Sequence, residues 1–277
     1  MSDWRVLGAS AVGSLHLKGD RGCDDAHGWS VRKAMSILVI ADGAGSRPGT
    51  SAIGAHVAVA AVLGASRDRR FATAVAENAS AATCVLVERA IAALTAEARI
   101  LELEPGALAT TLCVAVLVGD HVVVAQIGDG IAVVEHESGT IETVAVAERF
   151  EYANEVVFAT APDALDHLKV YAADDDPVRS VALCTDGLRY KILDVVTSAP
   201  FEPFFRESWA SARKRHPTSE AVEKFLREVD DQTGDDKTLL LAVREFAGRA
   251  GRKDHLTPRP PSIDPEPGAE QPDSPVA

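Results

Sequence analysis

The chain has 277 residues, 47% of them apolar, enough for one large domain or two small ones around a sizeable core. With 28 Lys and Arg against 41 Asp and Glu the formal charge is −13. That balance argues against nucleic acid, since binding a polyphosphate needs a concentrated basic face and no basic cluster occurs.

Met1 to Gly8 lack the basic-then-apolar order of a signal peptide, and Asp, Glu or His interrupts every long apolar stretch, so a cytoplasmic chain without a membrane span is expected. Cys23, Cys84, Cys113 and Cys184 form no CxxC pair, which argues against a zinc site or a disulfide framework. The last three are expected to be buried free thiols. In chain order, Met35–Ala41 is a β-rich run closed by Asp42 and Gly43. Two Ala-rich stretches, about Thr50–Ala65 and Phe71–Leu103, have helical spacing, the second placing Val75, Ala82, Leu86, Ala90, Ala93 and Leu94 near one face. Thr111–Val118, His121–Ile127, Ile131–Glu135 and Val178–Cys184 read as strands bounded by Gly and Asp turns. Pro203–His216 and Thr218–Asp231 read as helices, the second with Thr218 as N-cap and Glu220 and Glu223 in its first turns. Strands in the middle with long helices outside predict an α+β fold, an α/β/β/α four-layer sandwich. From about Asp254 the composition turns to Pro, Asp, Glu and Ser, ending PRPPSIDPEPGAEQPDSPVA, which cannot bury enough surface to offset chain entropy. The expected organisation is a domain over residues 1–250 and a disordered tail over 251–277.

The informative feature is a recurring position: Asp beside Gly or a second Asp, at the end of an apolar run or in the turn after it. It occurs at Asp24-Asp25, Asp42-Gly43, Asp129-Gly130, Asp186-Gly187 and Asp235-Asp236. A carboxylate at a strand end has a fixed root and an exposed tip, and a following Gly lets the backbone turn away so that a cation and its waters approach. Mg²⁺ and Mn²⁺ take oxygen ligands of this kind. Taken singly, each site reads first as a turn, since Asp-Gly is the commonest of turn dipeptides. Five acids gathered into one cleft would repel one another without a cation.

These residues resemble the metal-dependent protein phosphatases of the 2C type (PP2C), in particular their bacterial members, over about residues 8 to 245. Asp24-Asp25 resembles the first acidic pair, Ala41-Asp42-Gly43-Ala44-Gly45 the DGxG motif, and Ala109-Thr110-Thr111-Leu112 the TTL segment that opens a core strand. Gln126-Ile127-Gly128-Asp129-Gly130 is similar to the GDS-type turn, Thr185-Asp186-Gly187-Leu188 to the TDGL motif, and Asp235-Asp236-Lys237-Thr238 to the closing DDxT or DNxT motif. Tyr152-Ala153-Asn154-Glu155 is similar to a segment of one bacterial subgroup. The resemblance implies two central antiparallel sheets flanked by helices, with a dinuclear Mn²⁺ or Mg²⁺ centre at one end. Asp25, Asp42, Asp186, Asp235 and the carbonyl of Gly43 would be ligands, with Asp42 bridging. Asp24 would act through metal-bound water, and Asp129 with Asp186 would hold a weaker third ion.

The implied reaction is hydrolysis of phosphoserine or phosphothreonine by metal-activated water, which needs no side-chain nucleophile. The implied partner is a phosphorylated protein, such as the target of a bacterial serine/threonine kinase. Three positions depart from the family pattern. The family's phosphate-binding Arg falls at Asp20, with Arg21 one residue late; a His that some members place after the DG is Ala44; and the usual Ser-Arg after the GD turn is Gly130-Ile131. Arg21 is the candidate phosphate contact, and His16 and His27 are candidate proton donors. The first two departures leave a second reading open, a catalytically weak or inactive module that binds phosphoproteins.

Overall fold

The computed structural model describes residues 4–33, 35–45, 49–146, 156–173 and 176–244, which lie within one compact unit. The expected tail and the Tyr152–Glu155 segment lie outside the described residues.

Strand β1 (Trp4–Ala11) leads through a short helix α1 (Ser14–Lys18) to the hairpin β2 (Ala26–Val31) and β3 (Ser36–Ala41). Helices α2 (Ser51–Ala65), α3 (Arg69–Glu77) and α4 (Ala79–Ile100) follow. Next come β4 (Leu112–Val118), β5 (His121–Ile127), β6 (Ile131–His136), β7 (Ile141–Ala145), β8 (Lys169–Ala173) and β9 (Val178–Cys184). The chain then forms α5 (Arg189–Ile192), α6 (Glu202–Ala212), α7 (Ser219–Glu228) and β10 (Lys237–Arg244). The strands make two five-stranded antiparallel sheets, ordered β1-β10-β9-β6-β7 and β2-β3-β4-β5-β8.

Side-chain alternation along each strand builds the four layers. In β3, Leu38 and Ile40 face the second sheet, where they meet Leu183, Leu240 and Ala242, while Ile37 and Val39 face α2 and α4. In β10, Leu240 and Ala242 point between the sheets, and Leu239 and Leu241 point at Phe205 and Trp209 of α6 and Leu226 of α7. The fold is therefore the expected α/β/β/α sandwich. Both faces of the central strands are covered, so truncating a fully buried side chain such as Leu38 or Leu240 to Ala should cost about 2–5 kcal/mol.

Several local expectations are corrected. The stretch Phe71–Leu103 is two helices, because Asn78 leaves helical geometry (φ −158°, ψ 98°) and its side chain accepts from the backbone of Ala81 at 2.9 Å, capping α4. On α4, Ala82, Leu86, Ala90 and Leu94 are buried as expected, joined by Val87 and Ala98, whereas Ala93 is half-buried. By length and composition α4 is apolar enough to cross a bilayer, contrary to expectation. Its buried residues belong instead to the core over β3, β4 and β5. Thr218 caps α7 as expected, accepting from Ala221 at 3.2 Å. Cys113 and Cys184 are buried, but Cys84 is half-buried.

Candidate functional site

Sheet pairing gathers the acidic motifs at one end of the sandwich. Ala26 faces Ala41 across β2 and β3, which sets Asp25 beside Asp42. Leu239 faces Cys184 across β10 and β9, which brings the Asp235-Asp236 turn alongside Asp186. Asp129 lies in the turn joining β5 of one sheet to β6 of the other. The TTL segment fixes Asp42: Thr111 donates its backbone N–H to the Asp42 carbonyl at 2.9 Å, its hydroxyl accepts from the Asp42 N–H at 3.1 Å, and the Thr110 hydroxyl donates to the same carbonyl at 2.9 Å.

The glycines of the motifs have a different role from the one expected. A Cβ on Gly43 would come within 2.4 Å of the Ser51 carbonyl and 2.6 Å of the Asp24 carbonyl, and one on Gly187 within 2.0 Å of the Asp236 carbonyl. Gly is required there because neighbouring backbone packs against Cα, which brings the acidic segments together.

One carboxylate oxygen from each of Asp42, Asp186 and Asp235 lies within 4.8 Å of the others, and all three residues are half-buried. They line a cleft of about 340 Å³ together with Asp129, Gly43, Arg21 and His16. Asp25 is buried beside this group. Its Oδ2 accepts from the hydroxyls of Thr185 (2.8 Å) and Thr238 (2.6 Å), while its Oδ1, like Oδ1 of Asp186, is buried without a hydrogen-bond partner among the described residues. Burial, followed by repulsion from Asp236 and Asp235, pushes the Asp25 carboxyl up to about 8 against the pull of its two hydroxyl donors. Burial and then the carboxylates of Asp25, Asp186, Asp235 and Asp129 hold Asp42 well above the ordinary range. Burial and Asp235 raise Asp186. Burial and Asp186 bring Asp129 to about 6, with Arg189 opposing. An all-oxygen donor set with two unspent buried carboxylate oxygens and mutual repulsion fits hard divalent cations.

Arg21 reaches the cleft despite its offset. Asp20 adopts a left-handed backbone (φ 51°), and the Arg21 guanidinium lines the cleft and pairs with the buried carboxylate of Asp24. The two histidines separate. His16 lines the cleft, its Nδ1 3.0 Å from Asp236 Oδ2 and its Nε2 3.9 Å from Asp235 Oδ1. His27 lines a different pocket, with its Nδ1 2.8 Å from the Ser10 hydroxyl, and burial and then His56 lower its pKa. Burial and then Asp25 and Asp236 push the Cys23 thiol far up, so it is no thiolate nucleophile. Sequence reasoning named Asp236 in the closing acidic pair but gave it no role; it is 2% exposed and accepts from the N–H groups of Gly13 (2.7 Å) and Asp24 (2.5 Å) besides His16, tying the first and last acidic motifs together. The same reasoning missed Thr185 and Thr238, which stood inside the quoted motifs as unassigned letters.

Residues 12–227 match the model of the family described as Protein phosphatase 2C. The chain belongs to this family. It is therefore a protein phosphatase, a hydrolase of a metal-dependent family. It is 30% identical over 253 residues to Serine/threonine-protein phosphatase 3 of Escherichia coli K12, covering 87% of this chain and 98% of that protein. Solved structures share the fold at lower identity. The serine/threonine phosphatase PstP/Ppp of Mycobacterium tuberculosis is 14% identical with a TM-score of 0.61, over 88% of this chain and 99% of that one. RsbX, solved in complex with magnesium, is 15% identical with a TM-score of 0.54, over 87% and 94%.

Proposed function

We propose that this protein phosphatase hydrolyses phosphoserine and phosphothreonine in proteins at a dinuclear Mn²⁺ or Mg²⁺ centre. The observation that carries the reading is the Asp42, Asp186 and Asp235 triad within 4.8 Å, flanked by the unpartnered Oδ1 atoms of Asp25 and Asp186. Asp25, Asp42, Asp186, Asp235 and the Gly43 carbonyl would hold the two ions, and Asp129 with Asp186 would hold a third more weakly. Asp24 would act through a water on that centre. Divalent ions bound there supply Lewis acidity toward the phosphoryl oxygens and a water of lowered pKa.

The chain's own groups do the rest. Arg21, braced by Asp24, offers a planar fork to two phosphate oxygens at the cleft wall. Its presence there removes one of the two motives for an inactive binding module. The name of the E. coli relative supports phosphoserine and phosphothreonine as substrates. The partner is then a phosphorylated cytoplasmic protein, such as the target of a bacterial serine/threonine kinase.

Turnover of phosphopeptides and of a chromogenic phosphoester, with and without Mn²⁺, tests this in the parent and in Asp42→Asn and Asp186→Asn. Asn serves an Asp-Gly turn nearly as well as Asp but is a poorer ligand for a hard cation. Both variants should fold, bind Mn²⁺ weakly in calorimetry and lose roughly two or more orders of magnitude in turnover. Full Mn²⁺-dependent activity in both would overturn the reading.

A further inference from the structure

Behind Asp25 runs a line of hydroxyls that metal binding does not itself account for. Thr238 Oγ1 donates to Asp25 Oδ2 at 2.6 Å, where Thr185 Oγ1 also donates at 2.8 Å. A hydroxyl has one proton, so Thr238 must accept at its 2.6 Å contact with Ser10 Oγ, and Ser10 donates. Ser10 then has no proton left for His27 Nδ1 at 2.8 Å, so the imidazole donates from Nδ1. Every link points the same way, from the ring toward the carboxylate. The supports are rigid: Ser10 on β1 faces Thr238 on β10, His27 on β2 faces Ile40 on β3, and the His27 ring stacks on Trp29 with centroids 6.1 Å apart and planes 10° from parallel.

We propose that Ser10 and His27 are positioning residues, whose relay through Thr238 locks Oδ2 of Asp25 and so presents its unpartnered Oδ1 to a cation. The inference rests on the metal reading above. A carboxylate held at one oxygen by two hydroxyls cannot rotate that oxygen toward an ion, so it offers one preset donor and loses little rotamer freedom on binding. Without Ser10, Thr238 has no donor to fix its lone pairs, its hydroxyl swings, and Asp25 loosens. His27 does the same one step further back, by keeping the Ser10 proton pointed at Thr238. Ser10 and His27 line the neighbouring pocket on the far side of Asp25, and neither lines the cleft of Asp42, Asp186 and Asp235.

The test is Mn²⁺ calorimetry on the full chain, far below the thermal midpoint, for Ser10→Ala, Ser10→Thr, His27→Phe and His27→Asn, with Asp25→Ala as reference. Ser10→Ala and His27→Phe should bind Mn²⁺ about 10-fold more weakly, as loss of an outer-shell partner does elsewhere. Their kcat at fixed Mn²⁺ should fall while KM for a phosphopeptide holds. Ser10→Thr keeps the hydroxyl and His27→Asn keeps an amide donor near the place of Nδ1, so both should recover most of the affinity. The relay is refuted if Asp25→Ala loses an Mn²⁺ site while Ser10→Ala and His27→Phe bind like the parent, or if the rescuing variants are as weak as the deleting ones. If Ser10→Ala does not fold, the His27→Phe and His27→Asn pair decides alone. A parent that binds no Mn²⁺ would sink the metal reading and the relay together.

Discussion

Asp25→Asn should stabilise the metal-free protein, and by more at pH 8 than at pH 5. The Asn oxygen can still accept from Thr185 and Thr238, and its amide replaces an oxygen that has no partner among neighbouring carboxylates. In the folded parent the carboxyl is pushed up to about 8, against 3.8 in a free chain. Across that window the folded state holds a proton that the unfolded state releases, so stability falls as pH rises from about 4 toward about 8. At about 1.4 kcal/mol per pH step, the penalty reaches at most about 5 kcal/mol at pH 8 and stays under about 2 kcal/mol at pH 5. Water entry and relaxation lower these bounds, and with about 2–4 °C per kcal/mol for a domain of this size we expect a gain of roughly 5–10 °C at pH 8 and a few degrees at pH 5. Thermal melts in chelator at the two pH values measure it. Saturating Mn²⁺ should reverse the order, because ligand at about 100 times its dissociation constant adds about 3 kcal/mol to the parent and much less to a variant missing a ligand. A variant that melts below the metal-free parent at pH 8, or gains equally at both pH values, would show that Asp25 is not an electrostatically strained group.

Three further outcomes follow from the site and the composition. Arg21→Ala should raise KM for phosphopeptide more than it lowers kcat, since lost ground-state binding appears mainly in KM; unchanged kinetics would return Arg21 to a surface ion pair with Asp24. Asp129→Ala should keep tight binding of two Mn²⁺ in calorimetry while lowering kcat, and loss of all metal binding would remove Asp129 from a third site. Deleting Asp254 to Ala277 should leave the thermal midpoint and turnover nearly unchanged on composition alone, a reading undone if unfolding loses its cooperativity.

The strands legible in the sequence are those covered on both faces. β3, β4, β5, β6 and β9 are buried along nearly their whole length and so read as unbroken apolar runs. The expected set omitted β1, β2, β7 and β8, the four edge strands, where Arg5, His27, Glu142 or Lys169 interrupts the pattern. It also omitted β10, whose opening residues Lys237 and Thr238 are polar and stand in a motif read for chemistry. The acids were visible because each interrupts an apolar context. Thr185, Thr238 and Ser10 were not, since a hydroxyl that matters through one long-range hydrogen bond has no local signature. Nor could spacing separate His16 from His27, because that depends on α1 turning one ring into the cleft and β2 carrying the other away from it.

The position of the acids explains why one end of this sandwich can bear a concentration of charge that its interior could not. Asp25 and Asp42 are rooted in one sheet, Asp186 and Asp235 in the other, and Asp129 in the turn that crosses between them. Repulsion among them acts across the sheet interface at its rim, while Leu38, Ile40, Leu183, Leu240 and their neighbours close the same interface with apolar contacts further in. The cost is therefore confined to a few residues, where burial first and mutual repulsion after it raise the carboxyl pKa values of Asp25 and Asp42. A cation held at that rim, as proposed above, would relieve the repulsion on both sides at once and so would couple metal affinity to the docking of the two sheets. The hydroxyls of Thr185 and Thr238 and the carboxylate of Asp236 tie β9, β10 and the segment before β2 together across the sheets. They hold the acids at a fixed separation against their own repulsion, and fixed separation would let a small octahedral cation bind without first ordering its site.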